Sequence, residues 1–187
     1  MSPSRSLLVL TLCASVLQGC SADSPTGPTV TFTDLPAAVL TAYCVQGQRL
    51  PGQPISGTLA ITTCDAADLN AVSSGPDYSV GSVYQAIWHV RVAKTGTYQF
   101  AAFSDDPAAA YDNVLNVYHL DSYTATTATL TEIGYDDDSG AGPNATDALL
   151  SVSLTAGQDY FLRVAGWADG FNVTTQSGPY TATFTGP

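Results

Sequence analysis

Three carboxylates in succession, Asp136-Asp137-Asp138, are the densest concentration of chemistry in the chain. In an extended backbone Asp136 and Asp138 share one face and Asp137 takes the other. Like charges packed so closely need solvent or a cation to offset their repulsion. Calcium takes six to eight oxygen ligands. Asp112, Asn113 and Asn144 lie in loops that can converge on the triplet. The run lacks the spacing and the terminal Glu of an EF-hand. Two readings therefore stand: a calcium site built from Asp112, Asp136, Asp137, Asp138 and Asn144, or a solvated acidic turn. Calcium is the one cofactor these residues suggest.

Nucleophilic chemistry finds less support. Asp138-Ser139-Gly140 superficially resembles the Gly-Asp-Ser-Gly-Gly run of trypsin-like proteases, but Asp137 precedes it and no Gly follows Gly140. His89 and His119 fall mid-strand without metal-type spacing, and each reads as a partly exposed strand residue rather than a base. No catalytic residue is assigned. Trp167 and Phe171 flank Ala168-Asp169-Gly170 in a loop, where aromatics can stack on a sugar, grip a peptide or cover the rim of the core. Trp88 sits on the strongest core face of the chain.

The N-terminus gives an address. One cation, Arg5, precedes an apolar run from Leu7 to Leu17, which suits a secretory signal and is too short for a permanent span. Leu17-Gln18-Gly19-Cys20 resembles the lipobox of bacterial lipoproteins. That resemblance implies cleavage before Cys20, a diacylglycerol thioether on its sulfur and an acylated amine, which anchor the chain to a lipid bilayer. Several acyl chains on one residue hold firmly where a single chain is marginal. Ser21, rather than Asp, after Cys20 favours the outer membrane, with the domain periplasmic or on the surface. Cys13 leaves with the signal, so Cys44 and Cys64 remain as an even pair in an exported chain, and a disulfide is the default.

The 187 residues carry five Lys and Arg against sixteen Asp and Glu, a net charge of −11 that becomes one unit more negative when Arg5 is removed. That sign argues against a nucleic-acid partner and against adhesion to anionic lipid. Every acidic residue except Glu132 is Asp, which favours turns over helices. Period-two alternation dominates from the middle of the chain onward. Tyr84, Ala86, Trp88, Val90 and Val92 share one strand face, with Gln85, His89 and Arg91 opposite. Lys94-Thr95-Gly96 reads as a hairpin turn into Tyr98, Phe100 and Ala102. Leu115–Val117, Ala148–Leu154, Tyr160–Val164 and Tyr180–Phe184 alternate likewise. Leu59–Thr63 and Leu130–Tyr135 are weaker strands, and Leu35–Thr41 allows one helical turn. The pattern predicts an all-β fold, an antiparallel β-sandwich of about seven to nine strands.

Several of these segments, in this order, resemble the bacterial pre-peptidase C-terminal domain and the similar collagen-binding domains of bacterial collagenases. They include Tyr111-Asp112-Asn113-Val114-Leu115-Asn116-Val117-Tyr118, the acidic loop Gly134–Gly140 and Leu154-Thr155-Ala156-Gly157 with Tyr160–Val164. Ser177-Gly178-Pro179-Tyr180-Thr181 continues the match, and Gly57-Thr58-Leu59 and Gly96–Phe100 extend it upstream. The resemblance implies a jelly-roll-like sandwich. Departures are a longer Thr-rich connection at Asp121–Thr131 and the lack of a protease domain ahead of the module. The expected organisation is a lipoprotein signal at 1–19, a lipidated tether at 20–33 and the sandwich at 34–187. The expected role is a noncatalytic binding or adhesion module for a protein or polysaccharide. The competing readings are a small hydrolase or protease accessory, and a structural component of envelope assembly.

Overall fold

In the computed structural model, residues 30–61, 84–105, 111–140, 146–167 and 178–187 are described. They form two antiparallel-dominated sheets facing one another, with no closed barrel. The strands are β1 (Val45–Arg49), β2 (Ile55–Ile61), β3 (Tyr84–Arg91), β4 (Gly96–Ser104), β5 (Asn113–Tyr123), β6 (Ala128–Asp136), β7 (Ala148–Leu154), β8 (Asp159–Gly166) and β9 (Gly178–Thr185). One sheet runs β6-β5-β8-β3, and the other runs β2-β9-β4-β7. Strand β2 joins them. Its end pairs with β3 through Ala60 and Ile61, while its first five residues pair with β9.

The alternating residues behave as a sandwich requires. Trp88, Val90, Phe100, Leu115, Val117, Val152, Leu162, Val164, Tyr180 and Phe184 turn inward and form the main core. Each such side chain contributes roughly 1.5–3 kcal/mol when fully buried. The Phe100 and Phe184 rings stack with centroids 4.6 Å apart. Where the two sheets meet at the far edge, a side chain at Gly134 of β6 would collide with Val152 and Leu150 of β7. Glycine there lets the edges close.

Two expected hairpins are arches instead. Strands β3 and β4, joined by Lys94-Thr95, lie in opposite sheets, as do β7 and β8. Each crossover carries a tyrosine that fastens the corner. Tyr98 donates its hydroxyl proton to the Lys94 carbonyl at 2.8 Å, and the Thr155 amide donates to the Tyr160 oxygen at 2.8 Å. Gly157, at φ +77°, turns the second arch and donates its amide to Val92 of the first. A turn signal thus reports a reversal of direction without saying which strand lies next door. A tight hairpin does join β5 and β6 through Thr124–Thr127.

A short helix, α1 (Ala37–Ala42), forms within the stretch that allowed one helical turn, whereas β1 was not anticipated at all. Six residues are too few to hold a helix by themselves. Val39 and the following Tyr43 anchor it on the outer face of β3 and β8, against Ile87, Tyr118 and Phe161. This layer overturns the expectation that His89 is partly exposed, because its ring is fully buried. His89 Nε2 lies 2.8 Å from Asp159 Oδ1, and Arg91 reaches both Asp159 oxygens at 3.1 Å. Thr33 also donates to Asp159, and the Phe32 ring meets the His89 ring edge-on at 4.9 Å. Packing therefore begins just before residue 34.

Burial opposes ionisation of Asp159, but hydrogen bonds from His89 and Thr33, with the neighbouring charge of Arg91, outweigh it and hold the carboxyl below its usual range. A depressed carboxylate adds stability that is complete above its unfolded pKa and is lost as pH falls through the folded value. Replacing Asp159→Ala leaves the buried His89 and the part-buried Arg91 without their shared acceptor and should cost about 1–3 kcal/mol in chemical denaturation. Hydrogen exchange across residues 32–43 should rise with it. Unchanged stability, or exchange confined to β8, would mean that Asp159 does not hold this layer.

Candidate functional site

The acidic loop divides its carboxylates between two tasks. Asp136, at the end of β6, turns its Oδ2 to backbone, accepting from the Ser139 amide at 3.2 Å and from the Leu149 amide at 2.7 Å. It thereby stitches β6 of one sheet to β7 of the other. Asp137 accepts a hydrogen bond from the Tyr135 hydroxyl at 2.7 Å. Asp112, just before β5, approaches Asp137 and Asp138. Burial first, then Asp138 and Asp137, push its carboxyl up to about 7. Beside it, Asn113 is fully buried and its side-chain amide makes no hydrogen bond. Asn144 lies outside the described residues. Among the described residues no three His, Cys, Asp or Glu side chains are disposed to hold a metal ion.

The remaining expected positions are scattered. Cys44 follows α1 with φ +49°, whereas Cys20, Cys64 and Phe171 lie outside the described residues. Trp167 is half-buried against Val114, Ala165 and Tyr135, and its amide donates to the Asp112 carbonyl at 2.9 Å. It thus sits beside the acidic loop. His119 is part-exposed, with Nδ1 2.6 Å from Asp121. In the other histidine–carboxylate pair, His89 with Asp159, the imidazole is fully buried beneath the N-terminal layer and the carboxylate is largely covered.

Sequence reasoning missed a concavity at the seam between the sheets. Strand β1 runs parallel to β3, with Gly47 opposite Trp88, while β2 keeps only its last residues on β3 and bends toward β9. The strands splay, and a cavity of about 190 Å³ opens between them. Gln46, Ser56, Thr58 and Gln85 supply its polar lining, and Trp88 and Tyr180 form its aromatic wall. Trp88 Nε1 donates to the Tyr180 oxygen at 2.9 Å. Burial raises the Tyr180 pKa, more than the Trp88 hydrogen bond and Arg49 lower it, so the phenol keeps its proton. Gly57 permits the ring to seat, since a Cβ there would stand 3.2 Å from Tyr180 Cε1.

Arg49 borders this cavity. Its guanidinium lies 4.1 Å over the Trp88 ring and donates to the Pro54 carbonyl at 2.9 Å and to that of Gln48 at 2.8 Å. On its other side Gln48, Gln53 and Pro54 line a second, shallower hollow. The available signal was compositional: glutamines at 46, 48, 53 and 85 with a lone arginine at 49. Nothing in their spacing announces that β1 and β2 would bring them together.

No protein-family model and no curated protein matches the chain. Among solved structures, the fold is similar to the pre-peptidase C-terminal domain of a collagenase from Bacillus anthracis. That match has 12% identity and a TM-score of 0.44, covering 75% of this chain and 96% of that one. A surface-associated copper-binding protein of Methylomicrobium album is similar at 10% identity and TM-score 0.47, over 76% and 98%. A periplasmic inhibitor of g-type lysozyme from Aeromonas hydrophila gives 9% and 0.36, over 74% and 97%. These likenesses concern fold alone.

Asp112 yields a prediction whose sign runs opposite to that of Asp159. A carboxyl whose folded pKa is raised is best tolerated below its unfolded pKa, and the folded state loses stability as pH climbs through about 7. Asp112→Asn should therefore raise the melting temperature at pH 8, leave it nearly unchanged at pH 4 and flatten the profile between. A variant curve parallel to the wild type would place Asp112 away from its acidic neighbours.

Proposed function

We propose that this protein is a membrane-anchored bacterial lipoprotein whose β-sandwich acts as a noncatalytic binding module for a protein or polysaccharide ligand. The observation that carries the reading is the seam cavity, a concave site of amides, hydroxyls and aromatic edges. Its described lining residues include no nucleophile paired with a base and no carboxylate pair. Binding sites fix a ligand with a few convergent polar groups in an aromatic setting, and hydrolysis needs an acid, a base or a metal as well. Export, with an outer-membrane, periplasmic or surface address, is inferred from the Leu17–Cys20 junction. No helix among the described residues is long and apolar enough to cross a membrane, so the anchor in this reading is the acylated Cys20.

The experiment is an array of glycans and extracellular proteins probed with the full-length chain in detergent. Saturable binding to one ligand class is expected. Turnover of an arrayed ligand would replace the module with an enzyme, and silence across the array would favour an assembly role. Metabolic labelling with a fatty-acid probe should mark the wild type and spare Cys20→Ser. In the same preparations, alkylation of denatured, unreduced protein should find no free thiol at Cys44 or Cys64. Equal labelling, or two reactive thiols, would remove the anchor or the disulfide from the proposal.

Calcium belongs to this reading as a proposal centred on Asp112, Asp137 and Asp138 with Asn113. What supports it is the mutual repulsion of those carboxylates and the unpartnered buried amide beside them. Asp136 and Asn144 remain on the proposed ligand list, although Asp136 already serves two backbone amides. Because Asp112 must be ionised to hold the cation, millimolar calcium should raise the melting temperature more at pH 8 than at pH 5. An equal response at both pH values, or none, would leave the loop a solvated turn.

A further inference from the structure

We infer that the seam cavity holds one neutral sugar ring. This deepens the binding-module reading and rests on it. The chain bears a net charge of −11, so an anionic ligand is repelled over most of the surface. The nearest cation cannot compensate, since Arg49 is committed to the Trp88 ring and to two backbone carbonyls. A metal ion finds no carboxylate, imidazole or thiolate among the described lining residues. A purely apolar ligand would bury amides and hydroxyls without returning their hydrogen bonds, at about 1–3 kcal/mol for each stranded group.

What remains is a neutral ligand rich in groups that both donate and accept. Gln46 and Gln85 each present a carbonyl and an amide, and Ser56 and Thr58 each present a hydroxyl, so the lining offers both hydrogen-bonding roles at several points. Ring hydroxyls of a sugar answer in kind. The Trp88 and Tyr180 edges give the apolar C–H faces of a ring something to lie against. Size completes the argument, because about 190 Å³ is well under the roughly 300–1,000 Å³ of sites for drug-sized ligands. One ring fits and a cofactor does not. The hollow beyond Arg49, lined by Gln48 and Gln53, would take the next unit of a chain.

The test uses the full-length Trp167→Phe protein in detergent, which leaves Trp88 as the sole indole. It is titrated with neutral methyl glycosides of glucose, galactose and N-acetylglucosamine, and with glucuronate as the charged control. At least one neutral glycoside should change the Trp88 emission saturably, with Kd on the order of 1 mM, and glucuronate should bind at least tenfold more weakly. Gln46→Leu and Thr58→Val, at exposed strand positions that leave the core intact, should each weaken binding about three- to tenfold. No response to any neutral glycoside at about 100 mM, a hundredfold excess over such a Kd, would overturn the assignment. So would an equal response to glucuronate, or wild-type affinity in both variants. If the array instead yields a protein ligand whose binding these variants weaken, the module stands and the sugar does not.

Discussion

The bend in β2 is the constraint from which the rest of the molecule follows. A strand has two edges, and β2 spends the end of one edge on β3 and the start of the other on β9. That single change of partner joins the sheets and leaves the edge of β3 that does not pair with β8 without β2 along Ile87–Val90. Strand β1 fills the gap in parallel, with a register shift between Val45 and Gly47. The seam cavity is what remains of the mismatch. Trp88 and Tyr180, hydrogen-bonded across it, keep the two sheets from collapsing together there. The site is thus a by-product of how one sheet becomes two.

The opposite edge is closed by different physics. There a glycine at 134 removes bulk so that β6 can approach β7, and Asp136 holds the approach with bonds to two amides. A carboxylate used in this way gains the strong hydrogen bonds that charge gives. Its neighbours Asp137 and Asp138 lie near Asp112 instead. Adjacent residues in one acidic run therefore carry unlike roles, one structural and the others electrostatically strained.

A third layer lies outside the sandwich. Residues 32–43 cover the outer face of β3 and β8, which alternation alone would have left to water. Its polar attachment, Asp159 with His89, Arg91 and Thr33, is largely buried and linked by mutual hydrogen bonds. Such groups cost a great deal to desolvate and are tolerated because each has a partner. The covering also explains why Ile87 and Phe161, on the outer face of β3 and β8, are buried.

The local sequence by itself determined which segments are strands. Period-two alternation is a backbone property, and it located β3, β4, β5, β7, β8 and β9, marked β2 and β6 more faintly, and implied a two-layer all-β fold. Composition also put Asp112 forward as a carboxylate that could converge on Asp136–Asp138. Partnership was beyond its reach. Lys94-Thr95-Gly96 and Thr155–Gln158 look like hairpin turns because reversal is local, but whether a strand folds back beside its predecessor or across from it depends on the whole core. Strand β1 was invisible because Val45-Gln46-Gly47-Gln48-Arg49 buries almost nothing alone. His89 and Arg91 read as an exposed face because the helix that covers them lies about fifty residues away. The glutamines of the seam had no pattern to betray them. Only tertiary structure brought them to one cavity, because distant contacts are set by packing, and packing leaves no period in the chain.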